Sequence, residues 1–233
     1  MSEKKSLNFD FLDDNQKPAT EEASASSAGS QISTPFGKVS FLSYLNEYLS
    51  DFNAFCEKYL VSKRPPYILL LVWLFGVGSA ADRLNGSIQD YSSWAEVWAI
   101  VLFGGVLSAA IGYYVSGWFY GVRLAWSKGK EDINISRNIY VFTSLPIALT
   151  SILMLIFNQA AYGKDYLGYQ YSDGSTIDVV FFFVYIVALI YSIRLSYRAA
   201  TGVMHAERKR AIGWFVVAPT LLYAFLIFSN VLE

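Results

Sequence analysis

WAEVWAIVLFGGVLSAAIGYYVSGWFYG, residues 94–121, contains 28 residues and a single charge, Glu96, at its third position. About 20 consecutive apolar residues carry an α-helix across a hydrocarbon core about 30 Å thick. As a helix this stretch is about 40 Å long, so it tilts or extends past the interface. A helix at the surface of a soluble domain keeps a polar face at helical spacing, and this one is apolar all round. Runs of the same kind cover about 66–82, 139–161, 177–197 and 211–230. Only 16% of the 233 residues are charged and 54% are hydrophobic, whereas a soluble domain carries about a quarter charged. The fold class expected is therefore all-α: a polytopic membrane protein with five transmembrane helices over residues 65–230, preceded by an amphipathic helix and a disordered amino-terminal tail.

Orientation follows from the basic residues, because segments rich in Lys and Arg near membrane ends stay in the cytoplasm. Lys58, Lys63, Arg64, Arg123, Lys128, Lys130, Arg137, Arg194, Arg198, Arg208, Lys209 and Arg210 all fall on one side of the five expected crossings. Only Arg83 and Lys164 fall near the membrane on the other. The amino terminus is expected in the cytoplasm and the carboxyl terminus outside. No apolar stretch follows Lys4 and Lys5, so the first hydrophobic helix is expected to direct insertion. A net charge of −1, with no basic stripe outside the membrane ends, speaks against nucleic acid as a partner. The one cysteine, Cys56, excludes an internal disulfide framework.

Residues 1–35, with SASSAGS at their centre, are too polar to bury the apolar surface that ordering requires, and form the expected cytoplasmic tail. Within it, LNFDFLDD (7–14) is a candidate docking motif. Residues 36–64 form a second unit. Projected as one straight helix, 40–62 places Phe41, Leu42, Leu45, Tyr48, Leu49, Phe52, Phe55, Cys56, Tyr59 and Leu60 on one face. The opposite face is acidic, so packing against the basic ends of the other helices is favoured over attraction to anionic lipid.

Gly104, Ser108, Gly112 and Ser116 recur every fourth residue, with Gly117 and Gly121 beyond them. Small residues let helix backbones approach closely in lipid, so these six mark a packing seam, either within the bundle or between two copies in a homo-oligomer. Gly76 and Ala80 offer a mate on the first helix. Apart from Glu96 and Asp178 at helix entrances, the spans read as carrying only Ser, Thr, Asn and Gln in their deeper parts, which gives no sign of a proton path. Pro146 and Pro219 are expected to bend their helices, with nearby Ser and Thr serving the freed carbonyls. No nucleophile–base pair, HExxH or phosphate-cradling loop occurs, so no enzymatic activity and no cofactor are expected. Arg194, Arg198, His205, Arg208, Lys209 and Arg210 are a candidate contact for an anionic headgroup or an acidic partner. Their simpler role is to anchor the helix ends and set topology.

GYYVSGWFYGVRLAWSKGK (112–130) with RNIYVFTSLPIAL (137–149), and SIRLSYRAATGV (192–203), resemble the middle and the fourth-helix end of the Yip (Ypt-interacting protein) domain family over about 60–233. The resemblance implies five crossings behind a cytoplasmic amino terminus. TPFGKV is the nearest stretch to the Asp-Leu-Tyr-Gly-Pro type motif of eukaryotic members and does not match it, so a bacterial-type member in an inner membrane is implied, with a fold but no established activity. The function expected is that of a non-enzymatic adaptor or organiser, touching lipid headgroups and a cytoplasmic protein partner through residues 1–62. The alternative is a small-solute transporter or channel component, using the bends at Pro146 and Pro219 and the side chains of Thr143, Ser144 and Asn158.

Overall fold

The computed structural model describes residues 31–34, 37–61, 65–85, 87–167 and 176–231, which are mostly helical. The tail up to residue 30, with LNFDFLDD, lies outside them, as do Lys63 and Arg64. The chain enters as a short ribbon in which β1 (Gln31–Thr34) pairs antiparallel with β2 (Gly37–Ser40), Ile32 opposite Val39. The last residues assigned to the tail are thus paired strand. Ile32, Thr34 and Val39 are β-branched and favour extended backbone. The Tyr67 hydroxyl donates to the Val39 carbonyl at 2.7 Å, which ties β2 to the start of the helical bundle.

Helix α1 (Phe41–Ser50) is followed by α2 (Phe52–Phe55), which runs on as a π-helical turn, Cys56–Leu60. They meet at Asp51, whose backbone is extended (φ −140°, ψ 92°) and whose carboxylate accepts from the amides of Asn53 and Ala54, capping α2. A single straight projection therefore fails across residue 51. It places Leu42 and Leu49 on the packed face and leaves Tyr44 off it, whereas Leu42 and Leu49 are 76% and 66% exposed and Tyr44 is fully buried. Tyr44 packs against the rings of Phe55, Tyr59, Tyr67 and Phe142. Lys58 Nζ meets Glu47 at 2.8 Å, and this hydrogen bond raises the lysine's pKa. Burial raises the Cys56 thiol well above its ordinary value. Cys56 is expected to resist maleimide in the folded protein at neutral pH and to label at least tenfold faster in denaturant, since the thiolate is the reactive species. Equal rates would show that this segment is not packed.

Among the described residues four helical stretches are long and apolar enough to cross a membrane. They are α3 (Ile68–Asn85); α4 (Trp94–Ile111) continued through a π turn (Gly112–Ser116) into α5 (Gly117–Trp126); α6 (Ile133–Tyr162) with a following 3₁₀ turn; and Val179–Val203, most of which is α7 (Thr176–Arg198). The last stretch is α8 (Arg208–Ile212), a π turn (Gly213–Val217) and α9 (Ala218–Val231). Two starts are capped as their sequence requires. Ser93 accepts from the Glu96 amide at α4, and Asp132 accepts from the amides of Asn134 and Ile135 at α6.

The close packing against α3 keeps Gly112 of the four-residue repeat but turns on Gly105 in place of Gly104. A repeat of four drifts about 40° per step around a helix of 3.6 residues per turn. A Cβ added at Gly105 would sit 2.9 Å from Val77 Cα, and one at Gly76 would collide with Gly105 and Ala109. Gly104, by contrast, has open space where its side chain would be. Ser108 is buried, and Gly112 lies against the ring of Phe75. Beyond the π turn the contact changes partner: Gly117 abuts Arg137 of α6, Gly121 faces Ser136, and Ser116 lines a cavity.

At the end of the bundle that carries most of the basic residues, here called the basic end, two loops are joined. The Lys130 amide donates to the Met204 carbonyl at 2.7 Å, and the Glu207 amide donates to the Ser127 carbonyl at 2.8 Å. Lys128 and His205 both hold left-handed backbone, φ 55° and 53°. Glu207 pairs with Arg210 at 3.3 Å and Lys128 at 3.7 Å.

Candidate functional site

Pro146 lies inside α6 and has no N–H to give the carbonyl four residues back. That carbonyl, of Phe142, accepts instead from the hydroxyl of Tyr48 on α1, at 3.0 Å. The sequence pattern assigns this task to neighbouring Ser and Thr. Thr150 and Thr143 serve other carbonyls, those of Pro146 (2.9 Å) and Tyr140 (3.1 Å). Tyr48→Phe is expected to cost about 1 kcal/mol by leaving a buried carbonyl unpaired. In a Pro146→Ala background the restored amide serves Phe142, and the same change is expected to cost about half as much or less. Thermal melts of the four proteins in detergent give the cycle; equal costs would refute the link.

Beside Pro146, α5, α6, α7 and α9 leave a cavity of about 410 Å³. Two of its walls include the π turns Gly112–Ser116 and Gly213–Val217, the kind of helix irregularity that recurs at functional sites. Its lining is graded along the bundle. Arg123, Tyr140 and Ser196 lie toward the basic end, and Val115, Ile147 and Leu189 lie deeper. The rim residues Val115, Phe119 and Leu222 are 57%, 46% and 58% exposed, so the cavity opens sideways, out of the bundle.

Arg123 is the chemical centre of this space. Its guanidinium carbon lies 4.9 Å from the Phe215 ring centroid, 5.2 Å from Tyr120 and 5.6 Å from Phe119. Its Nε is buried without a partner, as is the nearby Ser192 hydroxyl. Among the described residues no carboxylate pairs with it. Charges inside a membrane bundle are ordinarily paired or reach water. A fixed cation surrounded by rings, with idle donors around it, is suited to binding an anionic group.

A second recess of about 190 Å³ lies further from the basic end and shares Tyr140, Ser144, Ile147 and Tyr223 with the first. It is lined by Asp82, Arg83, Ser79, Ser151 and Tyr185. The sequence pattern makes Asp82 the last residue of the first apolar run, but α3 continues to Asn85. Ser151 donates to the Asp82 carboxylate at 3.1 Å, and Tyr185 also hydrogen-bonds it. Ser151 is eleven residues from the end of α6 at Tyr162, about 16 Å along the axis. The interior is therefore not limited to neutral polar groups: Asp82 and Arg123 stand in two adjoining recesses.

The basic cluster read from the sequence lies elsewhere. Arg194 is exposed, Arg198 ends α7, His205 is an exposed turn residue, and Arg208, Lys209 and Arg210 open α8 on the surface. None of them lines either recess. Of the side chains named for a solute path, Thr143 and Ser144 line the large cavity, while Asn158 is taken up with Tyr166 at 3.0 Å. Arg123 reads as a loop charge in the sequence. The signal for its role is its place within the span Trp94–Trp126, directly after Phe119 and Tyr120 by helical spacing. No family model matches the chain, and neither a curated protein nor a solved structure matches it.

Proposed function

We propose that this protein is a non-enzymatic integral membrane protein, of five spans and with its amino terminus in the cytoplasm, that acts as an adaptor or organiser at its basic, cytoplasmic end. The fifth span is Arg208–Val231, about 36 Å as a continuous rod. The sequence resemblance to the Yip domain family supports this reading, as a bacterial-type member in an inner membrane, with membrane organisation or trafficking as the role the resemblance implies. The observation that carries the proposal is the way residues 41–60 are built into the bundle: Tyr44, Tyr48, Phe52, Phe55 and Tyr59 are buried against α6 and its neighbours. That packing brings α2 and its π turn up to the Ala199–Val203 turn, where Gly202 lies against Asn53, so residues 41–60 and the basic residues 194–210 form a joint surface for lipid headgroups and a protein partner.

The test is gentle-detergent purification from native membranes, full length beside a variant lacking residues 1–30. The deletion stops there because the aromatic residues from Tyr44 onward belong to the core. A stoichiometric partner present only with the full chain supports the adaptor; identical co-purification from both, or none from either, counts against it. The second reading, a small-solute transporter, is favoured by the two adjoining recesses with Arg123 in one and Asp82 in the other. Solute flux in liposomes, lost on Ser144→Leu at their shared wall, would support it.

A further inference from the structure

We infer that the Arg123 cavity is a binding site for an anionic phosphate amphiphile, its phosphate on the guanidinium and its hydrocarbon along Val115, Ile147 and Leu189. The inference deepens the lipid-headgroup part of the function proposed above and rests on the chain spanning a membrane. Three features point the same way. The first is the uncompensated charge. An arginine one turn from a span's end normally reaches water by extending its side chain. Arg123 is instead held over the rings of Phe215, Tyr120 and Phe119, its Nε enclosed without a partner. A planar guanidinium with free donors matches phosphate oxygens in a two-pronged contact, and the idle Ser192 hydroxyl can add a third.

The second feature is the gradient of the lining. Arg123 is three residues from the end of α5, at headgroup depth, and Ser196 is two from the end of α7. Leu189 and Ile147 lie one to two turns deeper along α7 and α6 than Ser196 and Tyr140. A soluble anion has no use for the deeper half, whereas an amphiphile fills both. The third is access. The apolar side chains Val115, Phe119 and Leu222 form an exposed rim, which lets a lipid enter from the bilayer without passing through water.

The experiment is native mass spectrometry of the full chain in detergent, titrated with phosphatidylglycerol, with melting temperatures measured in parallel. The wild type is expected to retain one lipid. Arg123→Gln is expected to weaken retention at least tenfold, Arg123→Lys to weaken it less, and Lys164→Gln, exposed in the turn after α6 and outside both recesses, to leave it unchanged. Arg123→Gln removes a buried unpaired charge, so its melting temperature should not fall, and Ser192→Ala, expected to weaken retention severalfold, is a second probe of the same cavity. Inorganic phosphate alone is expected to give no melting shift. A shift as large as the lipid's, abolished by Arg123→Gln, would keep the phosphate site but overturn its hydrocarbon half. Retention indifferent to both Arg123 and Ser192 would overturn the whole inference. Loss of the adaptor reading would appear instead as the absence of a protein partner, a separate observable.

Discussion

Gly78→Leu is expected to abolish the folded protein. α3 and α6 lie so close at this point that even a Cβ on residue 78 would collide with the backbone of Ala148, with no flexible side chain in the way to yield. Ala148 is two residues past Pro146, inside the continuous helix α6. Overpacking a core costs about 1–3 kcal/mol when neighbours can shift. A leucine meeting backbone from the first carbon onward is expected to exceed that, which is enough to scatter a bundle of marginal stability. Size-exclusion chromatography in detergent should show aggregate in place of a monodisperse peak. Gly104→Leu is the contrast, since nothing occupies its side-chain space, and it should leave the melting temperature within a few degrees of wild type. If the two variants behave alike, the helix contacts described here are wrong.

The second large effect is expected from Tyr44→Ala. Tyr44 is the hub of the aromatic cluster between the amino-terminal helices and α6, with four rings within about 6 Å of its own. Removing a buried aromatic side chain typically costs about 3–5 kcal/mol, counting both lost burial and the cavity left behind. Tyr44→Phe removes only a hydroxyl, and that hydroxyl is buried without a partner. The phenylalanine variant is therefore expected to be as stable as wild type or more so. Urea or thermal unfolding of the two proteins decides the matter. A Tyr44→Phe cost approaching that of Tyr44→Ala would mean the hydroxyl has a partner and would remove the basis for the prediction.

The membrane character of the chain is legible in its sequence because lipid imposes a simple rule: long runs with no polar face. Where contacts depend on direction, the sequence misleads in traceable ways. The leucines at 42 and 49 and the tyrosine at 44 exchange places because Asp51 breaks a helix that periodicity treats as straight. Gly104 drops out of the contact with α3 because a repeat of four is not the helix period. Arg123 and Asp82 look like punctuation between helices when only hydropathy is read. Each lies within a helix that continues past it, and only the neighbouring helices reveal that the charge points into a recess. Tyr48 was beyond inference from local pattern, since its partner carbonyl is 94 residues away.

The joined loops at the basic end carry a mechanical consequence. With Lys130 tied to Met204 and Glu207 to Ser127, the ends of α5, α6, α7 and α8 move as one piece. A rearrangement of the bundle is then expected to spread these helices at their far ends, with the two hydrogen bonds near its pivot. Displacement grows with distance from a pivot. The recess at Asp82 is thus expected to widen or narrow first, while the pocket around Arg123, close to the fixed point, is expected to keep its shape.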